Sequence, residues 1–264
     1  MNLKTCKKSI ITVRLKIRKY TLLKIQGVLS YSLYFLFLPL LPLIFRQGKS
    51  VKANTLRLPE ANGPRYNITE TSDSSIRVDT LLHIGESTVA GVGVENFQQG
   101  LTANIIRNLN NECSWQAIGQ NGAVIADVNH HLSTAELHCE PDILLLTMGV
   151  NDTTSFTSRN AWQLGLLACI EKINSITETQ PRVCFTQVPP LHLFPALPFP
   201  LNRFLGLRAW QLDNTLQQVC LAQGWSHLKI EMPLEKQWMA EDGYHPNEVG
   251  YQKWAEQLAA LIKP

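Results

Sequence analysis

The sequence predicts a three-layer α/β/α domain built on a five-stranded parallel sheet and preceded by an N-terminal hydrophobic helix. Three observations predict it. From Arg77 onward, short apolar runs alternate with amphipathic stretches. One of those runs, Ile143–Met148, is Ile, Leu, Thr and Met throughout and follows Pro141, as expected of a central strand covered on both faces. Upstream, 21 residues between Lys24 and Arg46 carry no charge. Strands alternating with helices imply a parallel sheet with helices on both faces.

The elements follow in chain order. Val78–Ile84 is a short apolar run ending at Gly85, the first strand. Phe97–Leu109 places Leu101, Ile105, Ile106 and Leu109 at helical spacing. Trp115–Ile118 is a second strand, Ala123–Leu132 a second helix and Ile143–Met148 the third strand. Trp162–Ile176 is an amphipathic helix, Val183–Val188 a fourth strand and Leu205–Ala222 a helix. Ser226–Ile230 is the fifth strand and Glu248–Ile262 the closing helix.

Four segments organise the chain: a basic stretch at 1–26, an apolar stretch at 27–45, a polar linker or strap at 46–77, and the domain at 78–264. A helix rising 1.5 Å per residue over the apolar stretch spans about 30 Å, the hydrocarbon thickness of a bilayer. Pro39 and Pro42 interrupt its second half. Eight Lys/Arg and no acid lie in residues 1–26, so the positive-inside rule favours a membrane anchor with the body periplasmic. Val51-Lys52-Ala53 has the spacing of a signal-peptidase site, so cleavage is a second option. A shallow, Pro-bent hairpin holding the body at the cytoplasmic face is a third.

Outside residues 1–26, 16 basic residues face 21 acidic ones. That mildly acidic body has no basic stripe for a phosphate backbone, so nucleic acid is not an expected partner. Six cysteines show no CxxC spacing, and His83, His130, His131, His138, His192 and His227 lack a partner pattern in the sequence, so no metal site is expected.

Chemistry concentrates in four places. Ser87 lies in Ile84-Gly85-Glu86-Ser87-Thr88, just after the first strand. A serine hydroxyl needs a neighbouring base to become a nucleophile. His245 in Asp242-Gly243-Tyr244-His245 is the candidate base, and Asp242 the group that orients it and stabilises the imidazolium. Gly122 after the second strand and Asn151 in Gly149-Val150-Asn151-Asp152 after the third are candidate oxyanion donors, the first through its backbone N–H and the second through its side-chain amide. The Ser87 N–H is the third. Read singly, each is ordinary: a helix cap, a surface loop, an Asx turn. All fall at the carboxyl ends of strands, where parallel sheets carry their sites.

These blocks resemble the SGNH, or GDSL-type, hydrolase superfamily over about residues 78–264. Its Ser, Gly, Asn and His fall in family order at Ser87, Gly122, Asn151 and His245, with Asp242 in the family's place before the His. Leu58-Pro59-Glu60-Ala61, Phe194-Pro195-Ala196-Leu197-Pro198 and Met239–Pro246 are similar to a bacterial subgroup of GDSL-like lipase/acylhydrolases. The resemblance implies a flavodoxin-like sheet order, a Ser-His-Asp triad, a Ser/Gly/Asn oxyanion hole, no cofactor, and hydrolysis of a small-molecule or lipid ester. Glu86 departs from the Asp usual before the nucleophile, and Thr88 from the Leu of the motif. Glycan O-acetyl groups and thioesters are alternative substrates on the same site, and a silent flavodoxin-like binding module is the alternative outside enzymes. The Pro-rich loop Pro189–Pro200 carries Phe194 and Phe199 as candidate acyl-binding side chains; packing against its own domain is the plainer reading. No protein partner is indicated.

Overall fold

The computed structural model describes residues 3–68, 80–109, 113–232 and 234–263, with side chains from Lys16 onward. The strands are β1 (Tyr66–Asn67), β2 (Thr80–Gly85), β3 (Ser114–Gly119), β4 (Ile143–Thr147), β5 (Arg182–Thr186) and β6 (Ser226–Leu228). They form one sheet in the order β1-β3-β2-β4-β5-β6. The five strands expected from sequence are present and mutually parallel. The sixth, β1, runs antiparallel to β3, which makes the sheet mixed. Its two residues are both exposed, so no inside–outside alternation marked it. Residues 78 and 79, the start of the first expected strand, lie outside the described residues.

Helices α3 (Leu101–Asn108), α4 (Ile125–Leu132), α6 (Arg159–Ile176) and α7 (Leu201–Gln223) connect the strands, with a short α5 (Val150–Thr154) after β4, and α8 (Glu248–Ile262) follows β6. Alternation along the strands sorts the side chains into two cores. Leu81, Leu145 and Cys184 face α3 and α8, where Ile105, Trp254 and Leu258 meet them. Leu82, Leu144 and Phe185 face α4, α6 and α7, packing with Val128, Trp162 and Leu212. Phe97–Leu109 is not one helix: a 3-10 turn at Phe97–Gln99 is separated from α3 by Gly100, whose backbone is extended. β2 ends level with its neighbours, Gly85 pairing with Gly119 on one side and Thr147 on the other. The loops leaving β2, β3 and β4 therefore emerge side by side.

At the N-terminus, α1 (Leu3–Leu33) passes unbroken through residues 26 and 27, a 3-10 stretch follows at Tyr34–Leu40, and α2 occupies Leu41–Asn54. The helical run thus reaches well into the segment expected as linker. Lys16–Asn54 is, by length and composition, long and apolar enough to cross a membrane, an 18-residue window within it having a mean hydropathy of 2.0.

Candidate active site

The nucleophile candidate owes its position to a crowded turn. A Cβ on Gly85 would fall 2.1 Å from the Thr147 carbonyl oxygen, so β2 can leave the sheet there only with glycine. The Glu86 N–H then donates to that Thr147 carbonyl, and Val92 N–H to the Ser87 carbonyl at 2.9 Å, closing the loop around a largely buried Ser87. From the other end of the chain, Ala240 and His245 are joined by a backbone hydrogen bond of 2.7 Å, with Gly243 at φ +67° forming the tip. Asn247 caps α8 by accepting from Gly250 N–H at 3.0 Å. The Tyr251 hydroxyl donates to the Val92 carbonyl at 2.6 Å, which ties α8 to the loop that carries Ser87. Gly93 allows the two loops to touch, since a Cβ there would sit 2.4 Å from the Pro246 carbonyl oxygen.

The result is a line of three side chains. His245 Nε2 lies 2.8 Å from Ser87 Oγ, and its Nδ1 lies 2.5 Å from Asp242 Oδ2. The other carboxylate oxygen of Asp242 accepts the N–H groups of Tyr244 at 2.9 Å and His245 at 3.0 Å. Burial pushes the Asp242 carboxyl up, but the hydrogen bonds and charge of His245 and the two backbone N–H groups outweigh it and hold it below the usual carboxylate range.

Gly122 and Asn151 stand on the adjoining loops. Gly122 has φ +82°, and nothing lies within 4 Å of where its Cβ would be, so that side of the turn is open to a ligand. Asn151, in the first turn of α5, donates one amide hydrogen to the Ala123 carbonyl at 3.2 Å, which joins the loop after β4 to the loop after β3 and leaves its second hydrogen for another acceptor. Gly149, at φ +122°, is pressed against Val188 and turns the chain from β4 into α5.

A family model described as the GDSL-like Lipase/Acylhydrolase family matches residues 83–253. The chain belongs to this family of hydrolases. Among solved structures, it is similar to a lipolytic protein of the G-D-S-L family from Veillonella parvula, at 14% identity and a TM-score of 0.56, covering 70% of this chain and 98% of that one. A lipase/acylhydrolase from Enterococcus faecalis is similar at 20% identity and a TM-score of 0.55, with 70% and 95% covered. The psychrotrophic esterase EstA from Pseudoalteromonas, in a form inhibited by monoethylphosphonate, follows at 16% identity and a TM-score of 0.55, with 70% and 96% covered. At these identities the likeness concerns the fold. Among curated proteins, none matches the sequence.

Two carboxylates matter more to this GDSL-like hydrolase than the sequence indicated. Glu86, fully buried, accepts Val150 N–H at 3.0 Å on one oxygen and Asn151 N–H at 2.9 Å on the other. It therefore clamps the start of α5, and burial pushes its carboxyl up to about 7. Glu60, in the strap, accepts Asn121 N–H at 2.7 Å and pairs with Arg65 at 3.0 Å, so it holds the turn that presents Gly122. A lone acid in a polar stretch carries no spacing signal, which is why Glu60 stood out only through the Leu58–Ala61 resemblance.

Asp152 caps from below: its buried carboxylate accepts Ile125 N–H at 3.0 Å, and desolvation pushes it up to about 6. Phe194 is buried, its ring centroid 6.3 Å from that of Tyr244 in the loop of Asp242 and His245, whereas Phe199 is 71% exposed on the surface. Two histidines with no partner pattern in the sequence have partners in the fold. His83 is fully buried between the hydroxyls of Thr102 and Thr147, and His227 pairs with Asp213 at 2.8 Å. Both contacts join residues far apart in sequence, beyond any local spacing rule. Among the described residues, no three His, Cys, Asp or Glu side chains are grouped to hold a metal ion.

Proposed function

We propose that this hydrolase cleaves carboxylic esters through an acyl-enzyme, with Ser87 as nucleophile, His245 as general base and Asp242 as the acid that orients it. The observation that carries the reading is the continuous contact from Ser87 Oγ through both ring nitrogens of His245 to Asp242, at 2.8 and 2.5 Å. Asp242 accepts a hydrogen bond from Nδ1–H, which fixes the tautomer with the Nε2 lone pair facing the hydroxyl, and its charge stabilises the imidazolium once that hydroxyl proton moves to Nε2. Oγ then bonds to the ester carbon. The charge developing on the carbonyl oxygen is met by the N–H groups of Ser87 and Gly122 and the free amide hydrogen of Asn151.

Collapse of the tetrahedral intermediate breaks the bond to the alcohol, which leaves with the proton from His245. Water then repeats the sequence, giving its proton to His245, and the acid is released with Ser87 restored. Residues 78–264 form the proposed catalytic unit, with Glu60 in the strap holding one oxyanion loop and Glu86 the other. The ester is a small molecule or a lipid, with Phe194 beside Tyr244 as the proposed wall for its acyl part and Phe199 at the outer edge.

The test is covalent labelling by a fluorophosphonate, which needs an activated serine. Labelling of the full chain at one site, abolished in Ser87→Ala and in His245→Ala while both variants retain the wild-type melting transition, is the expected result. Labelling that survives Ser87→Ala would sink the assignment and favour a binding module.

A further inference from the structure

We propose that residues 23–54 lie in the plane of an anionic lipid bilayer, docked along one face to the hydrolase domain and embedded by the other, rather than crossing the membrane. The first observation is a stripe. Leu23, Gly27, Ser30 and Ile44 are buried, with Tyr34 and Phe37 partly so, at steps of three, four and seven residues. That is one face of a helix turned toward a partner.

The partner is α7 and its approaches. Gln211 donates to Ser30 Oγ at 2.7 Å and accepts from the Tyr34 hydroxyl at 3.1 Å. The rings of Tyr34 and Phe37 stand edge-on to Phe204, with centroids 5.4 and 5.6 Å away. A Cβ on Gly27 would fall 3.0 Å from the Arg159 guanidinium, so glycine permits this close approach. Gln47 anchors the far end, donating to the Phe199 carbonyl at 2.7 Å and accepting from Leu201 N–H at 3.2 Å. Ile44 belongs to the core itself.

These contacts exclude the geometry of a simple anchor. Ser30, Tyr34 and Phe37 would be the middle of a spanning helix, the part farthest from water. Here they are bonded to α7, so a crossing would draw Arg159, Arg208 and Asn214 into hydrocarbon, where unpaired polar and charged groups are strongly disfavoured. The run is also not one regular helix: α-helix gives way to 3-10 geometry at Tyr34–Leu40, which contains Pro39.

The outward side is what a bilayer would meet. Val28, Leu29, Phe35, Leu36, Leu38 and Phe45 are all more than half exposed. Charge selects lipid over a second copy of this chain: residues 1–59 hold twelve Lys/Arg and no acid, with Lys16, Arg18, Lys19 and Lys24 exposed beside the apolar face. Two such faces would repel each other, whereas anionic headgroups neutralise them. Phe199, tethered to Gln47, would then sit at the lipid surface with the Pro-rich loop.

Two measurements on the full chain test this, and neither readout depends on Ser87 being the nucleophile. Compartment-sensitive reporters fused at the N-terminus and at the C-terminus should report the same side of the membrane; opposite sides would establish a crossing and overturn the proposal, as would a membrane-bound form beginning after Ala53. Purified protein should float with phosphatidylglycerol vesicles and bind phosphatidylcholine at least ~10-fold more weakly, with the difference reduced at high salt. Phe35→Glu combined with Leu36→Glu should lower partitioning by at least ~10-fold while the melting transition stays as in wild type. Failure to float on either lipid, or a soluble dimer that buries the same face, would also overturn it.

Discussion

His83, in the middle of β2, and His245, in the loop before α8, each hold an oxygen atom at both ring nitrogens. His83 lies between two neutral hydroxyls, Thr102 and Thr147, both at 2.9 Å, with no exposed surface. Desolvation holds it neutral by lowering its pKa to about 3. His245 has a carboxylate on one side and a serine on the other, with 20% of its side chain exposed. The same ring is thus a structural bridge where nothing nearby can stabilise its charged form, and a candidate base where a carboxylate can. The difference lies in the partners.

The sharpest way to break that comparison is to remove the charge that distinguishes the two sites. In Asp242→Asn the amide cannot stabilise the imidazolium, and it can hold the ring in the wrong tautomer. We expect kcat on an aryl ester to fall by about 10^4 at neutral pH, the scale seen when a triad acid is neutralised. A loss under tenfold would mean that His245 acts without Asp242.

A smaller effect is expected at Glu86, which is buried against the Val150 and Asn151 N–H groups and, in the proposed mechanism, acts by placing Asn151. Glu86→Gln replaces one acceptor oxygen by an NH2 group, so either Val150 or Asn151 N–H faces a donor. Loss of an oxyanion donor outright costs about 2.7–4 kcal/mol, and displacing one by a fraction of an ångström should cost less, about tenfold in kcat. Because the oxyanion exists only in the transition state, KM should stay unchanged. Equal changes in kcat and KM would assign Glu86 a role in substrate binding instead of positioning.

The fold and the proposed site were legible to different depths for physical reasons. Ile143–Met148 and Glu248–Ile262 announced themselves because burial on both faces of a strand writes an unbroken apolar run into the chain, and burial of one helical face writes a period. β1 and α5, of two and five residues, are too short to carry one. Ser87, Gly122, Asn151, Asp242 and His245 could be picked out because each follows a strand end and each brings a residue type with a distinct chemical use. Glu60, the threonines around His83 and the docking of Ser30 on Gln211 could not, since they are set by contacts across 61, 19, 64 and 181 residues. The apolar run at 27–45 was visible as a membrane-compatible segment, but the face it turns toward α7 depends on where α7 lies.

The smallest effect on activity and the clearest on stability is expected at His83. In His83→Gln a neutral amide can still donate to one hydroxyl and accept from the other, so kcat should stay within a few-fold of wild type. At pH 7.5 the variant should be less stable by about 1–3 kcal/mol, the cost of poorer hydrogen bonding in a buried site. Acid reverses the order. Below pH 6.5 the unfolded wild type takes up a proton that folded His83 refuses until about pH 3, so its stability is lost as pH falls through that window. Glu86 and Asp152, raised to about 7 and about 6, run the opposite way: their contribution is complete below their unfolded pKa values of 4.5 and 3.8 and is lost as pH rises through the folded ones. These two are common to both proteins and cancel in the comparison. The variant should therefore gain on wild type by about 1.4 kcal/mol per pH unit below 6.5 and overtake it near pH 5, measured by urea unfolding. A gap that stays constant from pH 7.5 to 4.5 would show that His83 titrates alike in both states, and the contrast between the two histidines would fail.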